Sequence, residues 1–144
     1  MIEEKKWRTR RGLGARLKRA AALALVRGGN ANAALTILLS SDKKLRALNV
    51  SFRGKDKATN VLSFPARRSE YLGDVAIAYG VTAKEAEAQE KSFADHATHL
   101  AVHGVLHLLG YDHETAHAAR MMEPLEASIL GELGIRDPYA RKAA

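Results

Sequence analysis

Residues 93–113 read FADHATHLAVHGVLHLLGYDH, and the rest of the chain can be read outward from them. A long helical pattern runs from about Phe93 to Leu109. Gly110 stands where a left-handed residue closes a helix. A last helix is expected over about 114–133, stopped by Gly134, and Pro138 prevents its continuation. Upstream, Thr82 with Glu85 reads as a capping box opening a helix over 82–91. Before it lie two paired strands: Asn60 to Phe64, ended by Pro65, and Gly73 to Tyr79, which alternates. Ala34 to Leu39 (ALTILL) reads as a buried strand, and Ser41 as the cap of a short helix packing Leu45, Leu48 and Phe52 inward. Residues 8–27 set basic positions against Leu13, Leu17, Ala20, Ala21 and Ala24 at helical spacing, and Gly28 and Gly29 stop that helix. Strands come early and helices dominate the end. The expected fold is α+β, a small mixed sheet with helices packed on it, forming one domain over residues 1–144.

Composition narrows the function. The chain has 144 residues and no cysteine, which excludes disulfides and thiolate metal sites. Its apolar stretches fall far short of the ~20 residues of a membrane span. The opening MIEEKKWRTRR leads into no apolar signal core, so a soluble, cytoplasmic protein is expected. The net charge of +7 is uneven. Residues 1–30 carry nine Lys/Arg against two Asp/Glu, residues 31–70 eight against three, and residues 71–144 six against eleven. The basic half is expected to form one face near the histidines, suited to a polyanion such as RNA; the alternative is an ordinary solvated helix face.

His103, His107 and His113 fall at i, i+4 and i+10. The first two share a helix face, and the turn at Gly110 can bring the third back to them. Three neutral imidazoles leave a fourth position open, the arrangement of a catalytic zinc site; the alternative is three histidines packing a helix end. The spacing matches the metzincin pattern H-E-x-x-H-x-x-G-x-x-H except that Gly104 replaces the glutamate. Without that general base, peptide hydrolysis by that route is disfavoured. His99 is about 12 Å along the axis from His107 and is expected to be packed or to support a ligand rather than join the ion. His96 is expected to be a partly exposed helix residue and His117 a surface one. Met121 and Met122 are expected in the core of the last helix rather than beneath a metal.

HGVLHLLGYDH, with RGKDKATNVLSFP at 53–65 and LGDVAIAY at 72–79, resembles the YbeY family of bacterial rRNA maturation endoribonucleases. The likeness runs from about Leu35 to Pro138 and includes Leu48-Asn49 and the downstream Glu126, Ile129, Leu130 and Gly134. It implies an α+β fold and a zinc-dependent, single-strand-specific endoribonuclease holding one Zn²⁺. It further implies roles in 16S rRNA 3′-end maturation, ribosome biogenesis and 70S ribosome quality control, with the small ribosomal subunit as partner. The family's metal ligands correspond to His103, His107 and His113, and its functional arginine to Arg53. Two features depart from the family: Ala58 stands where proline is usual, and only MIEEKKW precedes the first helix, so the family's opening strand is expected to be truncated or absent.

The chemistry of these residue types fits phosphodiester cleavage. A metal held by three histidines activates water and polarises a phosphoryl oxygen, and a guanidinium stabilises the charge that develops. Arg53 is the candidate for that guanidinium, with Lys55 and Lys57 on flanking phosphates; the alternative is a surface arginine paired with Asp56. Asp112 and Asp74 are candidate supports of the site, or else caps and ion-pair partners. A zinc peptidase and a non-catalytic ribosome-binding factor are the rival functions.

Overall fold

The computed structural model describes residues 1–66 and 70–139. A 3-10 turn, Lys5–Thr9, leads to α1 (Leu13–Arg27), β1 (Ala34–Ser40) and α2 (Asp42–Arg53). Then come β2 (Val61–Pro65), β3 (Tyr71–Ala78), α3 (Tyr79–Ala88), α4 (Phe93–Leu108) and α5 (Ala116–Glu132). The fold is α+β, as expected.

The sheet has the order β1-β3-β2, with β1 parallel and β2 antiparallel to the central β3. β3 departs from simple alternation: Val75, Ala76, Ile77 and Ala78 are all fully buried. Both of its faces are covered, which removes the polar side of the pattern. Val75 and Ile77 pack with Ala97, Leu100 and Ala101 of α4, while Ala76 and Ala78 meet Leu45 of α2 and Leu62. Ahead of the 3-10 turn, Ile2 makes one isolated parallel bridge to Leu39 at the β1 edge.

Two boundaries differ from the sequence pattern. α1 begins at Leu13 rather than residue 8, because the 3-10 turn buries Trp7, whose Nε1–H donates to the Ser40 carbonyl at 2.9 Å. Thr82 is not a cap: it lies inside α3, where its hydroxyl donates to the Ala78 carbonyl at 2.6 Å. The start of α3 is capped from elsewhere in the chain, by Asp42 Oδ1 accepting from Val81 N–H at 2.9 Å. A side chain at Gly80 would collide with that carboxylate. Ser41 caps α2 as its sequence implies, accepting from Lys44 N–H at 3.1 Å, and Leu45 is fully buried. Phe52, however, is 68% exposed rather than packed inward. It sits in the last turn of α2 and meets only the rim of the core, at Phe64.

α4 is the element that positions the site. Ser92 caps its start. Its end closes with Tyr111 N–H donating to the Leu106 carbonyl and Gly110 N–H to that of His107, both at 3.0 Å, around a left-handed Gly110 (φ 99°). Midway, the Gly104 carbonyl accepts from Ser63 Oγ at 2.9 Å. A Cβ at Gly104 would lie 2.5 Å from Val75 Cγ1, so only glycine lets the helix lie this close to the sheet. Among the described residues no helix is long and apolar enough to cross a membrane.

Candidate metal centre and cleft

The exposed His113, carried back by the turn after Gly110, joins His103 and His107 from the last turns of α4. Ring centroids are 4.6 Å apart for His103–His107, 5.1 Å for His103–His113 and 5.3 Å for His107–His113. One nitrogen from each ring lies within 4.8 Å of the other two.

His103 faces two ways. Its Nδ1–H donates to Glu126 of α5, at 3.1 Å to Oε2 and 3.3 Å to Oε1. That hydrogen bond fixes the tautomer and leaves a lone pair on Nε2, 3.1 Å from Nε2 of His107. Two imidazole nitrogens converging in this way suit a shared cation, so the donor set fits a metal ion. Burial, and then the neighbouring His103 and His113, push His107 down to about 4, which keeps it neutral and able to ligate near neutral pH.

Glu126 is fully buried in the middle of α5. Burial opposes its charge, but hydrogen bonds from His103 and His99 outweigh that and hold the carboxyl down to about 2. His99 therefore sits behind the three-histidine cluster, its Nε2–H donating to Glu126. His99, His103 and Glu126 form a second group with ligand-type atoms within 4.8 Å. Since His103 gives Glu126 its Nδ1, we read that group as the support of the first. Tyr139 stands edge-on to His99, with centroids 6.2 Å apart. Its hydroxyl is pushed up by burial and by the Glu126 carboxylate to which it hydrogen-bonds, so it stays protonated.

These rings lie in a cleft of ≈ 1160 Å³ that continues along β2 to Phe52, Arg53 and Phe64. Arg53 is the exposed last residue of α2 and has no ion pair among the described residues. Asp56, its expected alternative partner, is taken by Arg46 at 2.6 Å. Lys55 and Lys57 are exposed but do not line the cleft. Their loop is tied down by the buried Asn49, whose Nδ2 donates to the Lys57 carbonyl at 2.9 Å. The expected single cationic face is not found: α1 contributes no residue to the cleft, Arg16 pairs with Asp95, and Lys18 lines a separate groove against β1. α1 packs on α4 and α5.

Other expectations resolve individually. His96 is 2% exposed rather than partly exposed. It donates to Glu85 at 2.9 Å, and Glu85 also accepts from Asn60, so α3 and the start of β2 enclose the ring. Its pKa is lowered, chiefly by burial. His117 is exposed. Met122 is a core residue, but Met121 is 58% exposed. Asp112 caps the Glu114 N–H at 3.1 Å, and Asp74 accepts from the Tyr71 hydroxyl; neither holds a histidine. Glu126 carries a signal of its own in the sequence. It interrupts the stripe Met122, Ile129, Leu130 at core spacing, and a carboxylate on such a face must be paired.

An α+β fold that gathers three imidazoles beside an open cleft, with a carboxylate behind them, has the layout of a metal-assisted hydrolase. Sequence comparison makes the class specific. The family described as Endoribonuclease YbeY matches residues 3–134. An Endoribonuclease YbeY of Rhodopseudomonas palustris (strain BisA53) is 51% identical over 129 residues, 83% of this chain and 75% of its own. One from Nitrobacter winogradskyi is 48% identical over 146 residues, 93% of this chain and 77% of its own. The solution structure of TM1509 from Thermotoga maritima superposes with a TM-score of 0.60 at 24% identity, covering 98% of this chain and 100% of that one. That likeness is one of fold. The chain belongs to the YbeY family of endoribonucleases, and is thus an RNA-cleaving hydrolase.

Proposed function

We propose that the chain acts as one domain, a single-strand-specific endoribonuclease that holds one Zn²⁺ on His103, His107 and His113. In this reading it works in the cytoplasm on 16S rRNA 3′ ends and on the small ribosomal subunit, and takes part in 70S ribosome quality control. The observation that carries the reading is the convergence of the three imidazoles, backed by Glu126, in the same cleft as Arg53.

When bound, a zinc ion in such a site supplies Lewis acidity and a water whose pKa falls from ~15.7 towards ~7. The chain's own residues do the rest. Glu126 orients His103 and makes its Nε2 more basic. His107 stays neutral. Arg53, unpaired among the described residues, is free to meet the charge that builds on the phosphate oxygens in the transition state. Tyr139 keeps its proton and gives it in a hydrogen bond to Glu126, which helps to hold that carboxylate behind His103.

The zinc peptidase reading is weakened on packing grounds as well as by composition. Position 104 faces Val75 and Ser63, so the face that would bear a metzincin glutamate is turned into the sheet. The deciding experiment offers the zinc-loaded protein single-stranded RNA, double-stranded RNA and casein, with and without chelator, beside His107→Ala. Chelator-sensitive cleavage of single-stranded RNA alone, lost in the variant, is expected. Casein cleavage would favour the peptidase, and chelation that unfolds the chain would favour a structural metal in a binding factor.

A further inference from the structure

Phe52 and Phe64 do not belong to the chemistry derived above. Phe52 is the most exposed aromatic side chain among the described residues, at 68%. It is held in place all the same. It rides on the last turn of α2, and Phe64 on β2 braces it edge-to-face, with ring centroids 5.1 Å apart and planes at 60°. Phe64 is itself anchored against the cluster of Leu45, Leu62, Ala76 and Ala78. A phenyl ring left in water forgoes the stabilisation that burial gives, yet it is not collapsed onto the core. Both rings line the same cleft as the histidines, and Arg53 follows Phe52 directly in the chain.

We propose that Phe52, braced by Phe64, is a stacking platform for a nucleobase of the RNA strand whose phosphate Arg53 contacts. This rests on the endoribonuclease reading and adds a subsite to it. Three observations support this occupant over an apolar peptide. Aromatic rings next to an uncompensated guanidinium match the alternation of base and phosphate along a nucleic acid. Asp56, the acid that would neutralise that cation, is held by Arg46. The platform is continuous with the candidate catalytic cleft rather than a separate patch. The consequence is discrimination between strands. In a duplex each base face is covered by its neighbours, whereas a single strand can turn a face onto the ring. Every base has such a face, so the platform tolerates sequence.

The test uses the zinc-loaded full chain and a labelled single-stranded RNA of about 12 nucleotides. Single-turnover cleavage is followed against enzyme concentration, alongside a chelator-treated binding titration. Phe52→Ala is expected to weaken half-saturation and binding roughly 5- to 100-fold, the scale of one lost stack. The cleavage rate at saturation should stay within about twofold of the parent, because Phe52 touches no reacting atom. Phe52→Trp should restore affinity and Phe52→Leu should not, since leucine is apolar but has no π face. One abasic position in the RNA should cause the same loss in the parent and little further loss in Phe52→Ala. Equal affinity of parent and Phe52→Ala overturns the proposal, as does full rescue by leucine or an abasic effect that adds fully to the mutation. A parent that binds but does not cleave any single strand sinks the nuclease reading instead, and the titration then still decides the platform. Thermal denaturation of each variant should match the parent, as the ring is mostly solvent-exposed.

Discussion

Glu126 Oε2 lies 3.1 Å from Nδ1 of His103, so a charge buried in α5 sets the direction in which a histidine of α4 presents its other nitrogen. Glu126→Gln keeps an oxygen there but removes the charge. Zinc affinity should fall about 10–100-fold, the effect of losing such a supporting carboxylate. Competition with a chromophoric chelator measures it, and unchanged affinity would mean that Glu126 serves packing alone.

The histidine cluster also makes the metal-free chain acid-sensitive. His107 sits at about 4 when folded, below its usual 6.5, so the unfolded chain binds a proton first as pH drops. Its stabilising effect is present above about 6.5 and is lost as pH falls towards 4. Glu126, also depressed, from 4.5 to about 2, adds a loss between those values. Urea unfolding of the metal-free protein across pH should show both windows, and His107→Gln should shrink the upper one, leaving the part that the buried His96 contributes. A profile whose upper window is the same in the variant would contradict this.

Arg53→Ala should lower kcat by about 10²–10³, the scale of one charge-stabilising donor. RNA affinity should change far less, and the melting temperature hardly at all, since the side chain is exposed and unpaired among the described residues. Single-turnover kinetics at saturating RNA separate the two effects. Normal cleavage at saturation would reduce Arg53 to a phosphate anchor.

Gly104→Ala puts a methyl 2.5 Å from Val75 Cγ1 and 3.3 Å from Ser63 Oγ. α4 or the sheet must shift, at about 1–3 kcal/mol. Chemical denaturation should show that loss, and Val75→Ala combined with it should recover part. If the single variant is as stable as the parent, the helix is not seated as closely as described.

Much of the architecture is legible in short-range pattern. The stripe Leu13, Leu17, Ala20, Ala21, Ala24 and the stop at Gly110 are local features, and local sequence is enough to read them. The misread positions depend on partners distant in the chain. Thr82 looks like a cap, but the capping carboxylate comes from Asp42, 39 residues before the Val81 amide that it accepts from. His96 resembles a surface residue until Glu85 and Asn60 enclose it. Phe52 follows the apolar spacing of α2, yet its ring is left 68% exposed beside Phe64 of β2. The candidate ligands were readable from spacing because two lie on one helix. Glu126 reaches them from another, and only its place in an apolar stripe hints at that.

The turn at Gly110 divides the three imidazoles into unequal kinds. His103 and His107 hang from backbone that the core has already ordered, whereas His113 rides on non-helical chain and is exposed. An arriving ion would thus meet two ligands held by a helix and a third held by a turn. Ordering one such side chain on binding costs about 0.5–1.5 kcal/mol. Retention then depends most on the turn that carries His113, so altering Gly110, Tyr111 or Asp112 is the route to a slower or faster exchange, with all three imidazoles left in place.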